Sequence, residues 1–223
     1  KHAADNMYLP RKGLLFEQHE GFFDLPHIDI RSIPVTDFPL YKNWSYDRIF
    51  RNDMIKQPDV LMFMLLYPQS FTKEEKRINY EYYEPRCIHE SSLSPSVHSI
   101  IASEIGKKEE ALNFFKFATR LDLDDYNRNT SEGLHMTSIA AAWLNIVYGF
   151  GGLRSDGDIL SLSPTIIDNW KSYSFKLLYE GQKIEVLIDK SHVTLKKDGE
   201  KDIRIKVYDT VYTLKDALKV YLI

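Results

Sequence analysis

The sequence predicts a mainly helical region followed by a small antiparallel sheet domain, and three observations carry that prediction. Capped apolar runs of helical length recur between Pro58 and Tyr148. From Leu160 onward the apolar period falls from about 3.6 to about 2. Between the two lies the glycine-rich stretch GFGGLRSDG, which puts a boundary near Ser155 to Gly157 and divides the chain into residues 1–156 and 157–223.

The first segment, Lys1 to Asn52, has no sustained period. Gly13, Gly21, Pro26, Pro34 and Pro39 interrupt it, and it reads as long structured loops of the kind that carry function. Pro58 to Tyr67 is an apolar run with proline in its first turn and Pro68 at its end. Thr72 with Glu75 makes a capping box for a helix through Tyr83, stopped before Pro85. Ser94 and Pro95 read as N-cap and first residue of a helix closed by Gly106, and Lys108 to Arg120 forms the next one. The fifth spans Ser131 to Tyr148, with Asn129 as its cap and Glu132 in its first turn. The small residues of TSIAAAW should let neighbouring backbones approach closely.

In the second region, YSFKLLYEGQKIEVLID reads as two strands joined at Glu180-Gly181, and SHVTLKKDGEKDIRIKVYD as two more around Asp198-Gly199. Helical hairpins normally close into layers, and about five helices are too few to do so. Something outside these helices is expected to cover their open side.

Composition narrows the function classes. Hydrophobic residues make up 43% and aromatic residues 13% of the chain, enough for a sizeable core. The net charge of -3 and the lack of a Lys/Arg block argue against nucleic acid as a partner. A single cysteine, Cys87, excludes an internal disulfide, and no apolar run approaches the roughly 18 residues that span a bilayer. A soluble, cytoplasmic setting is expected. The seven histidines show no HExxH and no close pairing with cysteine, so no metal site is expected, and no GxSxG or phosphate-binding P-loop is present.

Four stretches depart from what a helical core requires. Lys56 and Gln57, just before a helix, offer several donors and one acceptor to hydroxyl groups. In HESSLSP, Ser94 is taken by capping, which leaves the hydroxyls of Ser91 and Ser92 free. His135 is expected in the first turn of the fifth helix, where unpaired backbone N–H groups favour an anion. Gly151 and Gly152, in GFGG, could expose further N–H groups to an oxyanion, or serve only as a helix terminus.

At these stretches the sequence resembles glycoside hydrolase family 65, the inverting disaccharide phosphorylases. EQHEGFFDL, WSYDRIFRNDMIKQPDVLM, YEPRCIHESSLSPSVHS, ATRLDLDDYNRNTSEGLHMTSIAAAW and GFGGLRSDG are similar to consecutive blocks of that family, in order, over nearly all of Phe16 to Ser163. The resemblance implies the second half of an (α/α)6 barrel followed by a C-terminal β-sandwich, with the missing N-terminal part of the enzyme covering the open helices.

It further implies that Lys56 and Gln57 bind the glucosyl unit and that Ser91, Ser92, His135, Gly151 and Gly152 bind phosphate. No catalytic residue is then expected within the chain, since the family's general acid, a glutamate in a GPDEY-like block, should lie before Lys1. Glu90 is a poor substitute because its block belongs to the phosphate side. Inorganic phosphate would be the co-substrate, with no other cofactor. Maltose is the expected disaccharide, with kojibiose, nigerose and trehalose as alternatives, and a homodimer is implied for the full enzyme. A carbohydrate-binding module without cleavage is the reading from another class.

Overall fold

The computed structural model of the chain describes residues 10–223. The first nine residues of the expected loop region lie outside it. From Pro10 to Asn52 the chain makes a two-residue ladder, β1 (Arg11–Lys12) with β2 (Leu15–Phe16), and two single-turn helices, α1 (Leu40–Asn43) and α2 (Tyr46–Phe50). Five longer helical segments follow. The first is α3 (Asp59–Leu66), opened by Pro58. The next, α4 (Lys73–Tyr83), starts at the Thr72 capping box: Thr72 Oγ1 accepts from Glu75 N at 3.1 Å and the Glu75 carboxylate accepts from Thr72 N at 2.8 Å.

The central helix is α5 (Ser94–Ile105), flanked by α6 (Lys108–Arg120). Every residue of α5 from Ser94 to Ser103 is buried, so its polar side chains need internal partners. Ser99 Oγ donates to Ala111 O at 2.8 Å, and Ser103 Oγ donates to Gly149 O at 3.0 Å. These bonds let small residues bring neighbouring backbones close. Around them Leu61, Met64, Tyr80, Tyr83, Ile101 and Phe150 form the helical core.

Two expectations about helix starts are corrected. Ser94 is not the cap of α5 but its first residue, because Leu93 is already in the α region. The Ser94 hydroxyl turns back to Ser91 O, while Ser91 Oγ accepts from Leu93 N at 3.2 Å and holds the turn. The fifth helix does not begin at Ser131 under an Asn129 cap. Thr130–Glu132 makes one 3-10 turn, Gly133 breaks it at φ 130°, a conformation other residues avoid, and α7 (Met136–Leu144) starts after His135. The helix then widens into a π-helical turn, Asn145–Phe150.

Seven strands form two sheets: β3 (Leu160–Leu162), β4 (Ser172–Tyr179), β5 (Gln182–Asp189), β6 (His192–Lys197), β7 (Ile203–Val207), β8 (Thr210–Leu214) and β9 (Ala217–Tyr221). One sheet has the order β4-β5-β6-β9 and is antiparallel throughout; the other has the order β3-β7-β8. The strict alternation of β5 sends Ile184, Val186 and Ile188 inward, where they meet Leu162, Ile203, Ile205 and Val207 of the second sheet in one core. Two details differ from expectation. Asp198-Gly199 does not close a hairpin, since β6 and β7 belong to different sheets. The second sheet is mixed, because β3 enters beside β7 in parallel.

Candidate functional site

The stretches that carry Lys56-Gln57 and Ser91-Ser92 lie side by side. Ile55 N donates to Arg86 O at 2.8 Å and Ile88 N donates to Ile55 O at 3.0 Å, a parallel bridge that brings KQP against HESS. Buried Asp53 reinforces it by accepting from Arg86 Nε at 2.8 Å and from Ile28 N at 3.1 Å. The bridge puts Ser91 Oγ 2.8 Å from Gln57 Oε1, to which it donates. With its oxygen so occupied, the Gln57 amide keeps its N–H groups for another acceptor.

Lys56 stands half-buried with its ammonium 5.4 Å from the centre of the Tyr41 ring. Ser92 is also half-buried. Glu90, between these groups, is 8% exposed and accepts from the backbone amides of Leu40 and Tyr41. Burial raises its carboxyl above the usual range against those bonds and the charge of Lys56. Its oxygens tie the α1 turn to the site, a structural task that sequence reasoning did not assign to it.

Tyr41 extends the site toward the loop before α7. Asn129 Nδ2 donates to the Tyr41 hydroxyl at 3.3 Å, and Lys42 Nζ lies 3.0 Å from a Glu132 carboxylate oxygen. At the end of this loop is His135, held by Asp122: one carboxylate oxygen is 2.5 Å from His135 Nδ1, and the other accepts from His135 N at 2.8 Å. Burial works to raise the Asp122 carboxyl, yet the His135 bonds outweigh it and hold it below the usual range. His135 therefore sits at the entrance of α7, one residue before its first turn. Among the described residues no hydrogen bond joins it to Ser91 or Ser92.

Gly151 and Gly152 are not brought to this end of the molecule. Gly149 packs on Ile100 and receives the Ser103 bond, nine residues along α5 from Ser94, which is roughly 14 Å of helix rise. Gly151 N–H donates to Ile146 O, and a Cβ there would meet the Phe175 ring at 2.7 Å. At Gly152, φ is 60° and a Cβ would fall 2.4 Å from Ser163 O. Both glycines are needed for close packing of the helices against the sheets, the terminus reading of GFGG.

The expectation of no close cysteine–histidine pairing is corrected. Cys87, His89 and His98 offer ligand atoms within 4.8 Å of one another. Burial pushes the Cys87 thiol up to about 12 and lowers His98 to about 4, so at neutral pH the group is a thiol and a neutral imidazole, with His89 also lowered well below its ordinary value by burial. Ser94 satisfies one nitrogen of each ring: His98 Nδ1 is 2.7 Å from Ser94 O and His89 Nδ1 is 3.2 Å from Ser94 Oγ. The Nε2 atoms of both rings are buried without a partner.

Comparison with known proteins identifies the family. Residues 1–144 match the glycosyl hydrolase family 65 central catalytic domain, and residues 153–214 match the family's C-terminal domain. The chain belongs to glycosyl hydrolase family 65. It is 42% identical over 217 residues to a maltose phosphorylase of Bacillus subtilis (strain 168), covering 96% of this chain and 29% of that protein. It is also 42% identical over 211 residues to an α,α-trehalose phosphorylase of Thermoanaerobacter brockii, covering 94% of this chain and 27% of that protein.

A solved structure of a putative kojibiose phosphorylase from human microbiome superposes with a TM-score of 0.92 at 55% identity, covering 98% of this chain and 29% of that one. This family 65 chain thus spans less than a third of the length of the relatives it matches. Among its described residues no helix is long and apolar enough to cross a membrane.

Proposed function

We propose that the chain supplies the glucosyl- and phosphate-binding side of a family 65 disaccharide phosphorylase. The observation that carries this is the Ser91–Gln57 hydrogen bond of 2.8 Å, which couples a hydroxyl cluster suited to an oxyanion with an amide suited to a sugar. Lys56 and Gln57 hold the glucosyl unit; Ser91, Ser92 and His135 hold inorganic phosphate. An oxygen of the phosphate forms a bond to the anomeric carbon as the bond to the leaving sugar breaks on the opposite face. The leaving oxygen takes its electron pair and a proton from a general acid contributed by polypeptide preceding Lys1, and the configuration inverts.

The same reading accounts for the open helix faces. Met136, Ile139 and Trp143, three or four residues apart on α7, are 67%, 52% and 54% exposed. In the proposed enzyme the other half of an (α/α)6 barrel covers them, within a cytoplasmic homodimer. Maltose is the proposed disaccharide; trehalose and kojibiose are its nearest rivals.

The experiment is steady-state phosphorolysis by the polypeptide that includes the upstream region, with maltose, trehalose and kojibiose in turn. Gln57→Ala should weaken cleavage and reverse synthesis alike by more than about tenfold, since a site built to bind hydroxyls discriminates strongly. His135→Ala should raise the phosphate KM. Activity within about twofold of the parent, under ~0.5 kcal/mol, in both variants would contradict the assignment.

A further inference from the structure

The loop that carries His135 contains a second functional group. Asp122 lies in the turn two residues past the end of α6, thirteen residues earlier, and reaches His135 with both of its oxygens, at 2.5 Å to Nδ1 and 2.8 Å to the backbone N–H. The two contacts fix different things. The backbone bond sets where the His135 Cα stands at the α7 entrance, and the ring bond sets the rotation of the imidazole. Both side chains are largely shielded, 21% exposed for His135 and 12% for Asp122, so water competes little for either bond.

A carboxylate held below its usual range accepts hydrogen bonds and donates none. The proton of the imidazole is therefore on Nδ1 in the neutral ring, and Nε2 is the nitrogen left for a ligand. A neutral ring in this tautomer offers Nε2 as a lone pair and takes the proton of a dihydrogen phosphate. A charged ring offers Nε2–H to a hydrogen phosphate dianion. The two routes converge on one species, with a single proton between Nε2 and a phosphate oxygen. The opposite neutral tautomer, with its proton on Nε2, would lose the Asp122 contact.

We propose that Asp122 is the positioning residue of the phosphate site, holding the His135 ring by Nδ1 so that Nε2 faces the anion. This rests on the reading of His135 as a phosphate ligand. Asp122 itself touches no substrate. Its effect falls on phosphate and leaves the disaccharide alone, because Lys56 and Gln57 are held by the separate Ile55–Ile88 bridge.

Two measurements test it. In the 15N-histidine-labelled chain, the His135 ring should show a protonated Nδ1; a neutral ring with its proton on Nε2 would overturn the proposal without any variant. In the polypeptide with its upstream region, Asp122→Asn keeps the shape and one acceptor but loses the charge, and Asp122→Ala loses both. The phosphate KM should rise about tenfold in the first and further in the second, as expected for a lost charge-assisted bond, with the disaccharide KM within about twofold of the parent. A phosphate KM unchanged in Asp122→Asn, or a disaccharide KM that rises equally, would overturn it. His135→Ala separates the two readings: if that variant leaves phosphate kinetics unchanged while the ring in the parent chain shows its Nδ1 proton, the phosphate reading fails and the Asp122–His135 pair stands as structure alone.

Discussion

The sheet region and the helical region treat their apolar residues in opposite ways. In the sheets, Ile184, Val186, Ile188, Val193, Leu195 and Ile205 are all 0% exposed, and the two layers bury them against each other. In the helices, α5 is enclosed, yet α7 keeps a face of Met136, Ile139 and Trp143 in solvent and α3 keeps Leu66 at 62%. The α7 residues share one helix face, which is the surface the proposed upstream half of the enzyme would cover. One region encloses its apolar residues; the other leaves several of them open, as the proposed enzyme requires.

Substitutions in the two regions should separate accordingly. Leu195→Ala opens a cavity in a core with nothing to fill it, and should cost about 2–5 kcal/mol in denaturant unfolding. A cost below about 1 kcal/mol would show that the two sheets do not form one tight core.

The acid limb of stability should come from the helical side. Burial depresses His98 to about 4 from 6.5, so the unfolded chain takes up a proton that the folded one refuses. Its contribution is fully present above pH 6.5 and is lost as pH falls toward about 4, by roughly 3 kcal/mol. His98→Gln should flatten unfolding free energy over that window, and an unchanged slope would mean that the ring is reached by water.

Removing the Thr72 cap is a smaller perturbation. Thr72→Ala loses the hydroxyl that accepts from Glu75 N, while the backbone N–H of residue 72 still reaches the Glu75 carboxylate, and should cost about 1 kcal/mol, with the sheet region untouched. The smallest effect is the one that sharpens the contrast. Trp143→Ala should change the stability of this chain by under ~0.5 kcal/mol, as at any exposed position, but should destabilise the polypeptide with its upstream region by several times that. Equal effects in the two would mean that Trp143 faces water in both.

Much of this was legible in the sequence, for identifiable reasons. The Thr72–Glu75 box and the Gly106 terminus are local, so spacing alone finds them. The start of α7 was misplaced because Asn129 and Glu132 make a convincing box in sequence, whereas Asp122 takes the His135 N–H and Gly133 turns the chain out of helix. Strand existence followed from alternation, but the assignment of β6 and β7 to separate sheets depends on β3 and β9, which lie far away in the chain. Lys56, Gln57, Ser91, Ser92 and His135 were proposed from family blocks; the contacts that Asp122, Tyr41 and Asn129 make around them were not foreseen, because they span 13 to 88 residues and leave no local pattern. Gly151 and Gly152 show the opposite error, a composition suited to an anion placed where helix meets sheet.

The central claim, that this chain is one side of a phosphorylase site, is tested most directly by comparing it with the continuous polypeptide that includes the region before Lys1, each incubated with disaccharide and inorganic phosphate. The account predicts no turnover by the chain alone and phosphate-dependent release of β-glucose 1-phosphate by the longer polypeptide. Glucose 1-phosphate from the chain alone, or phosphate-independent hydrolysis by the longer one, would contradict it.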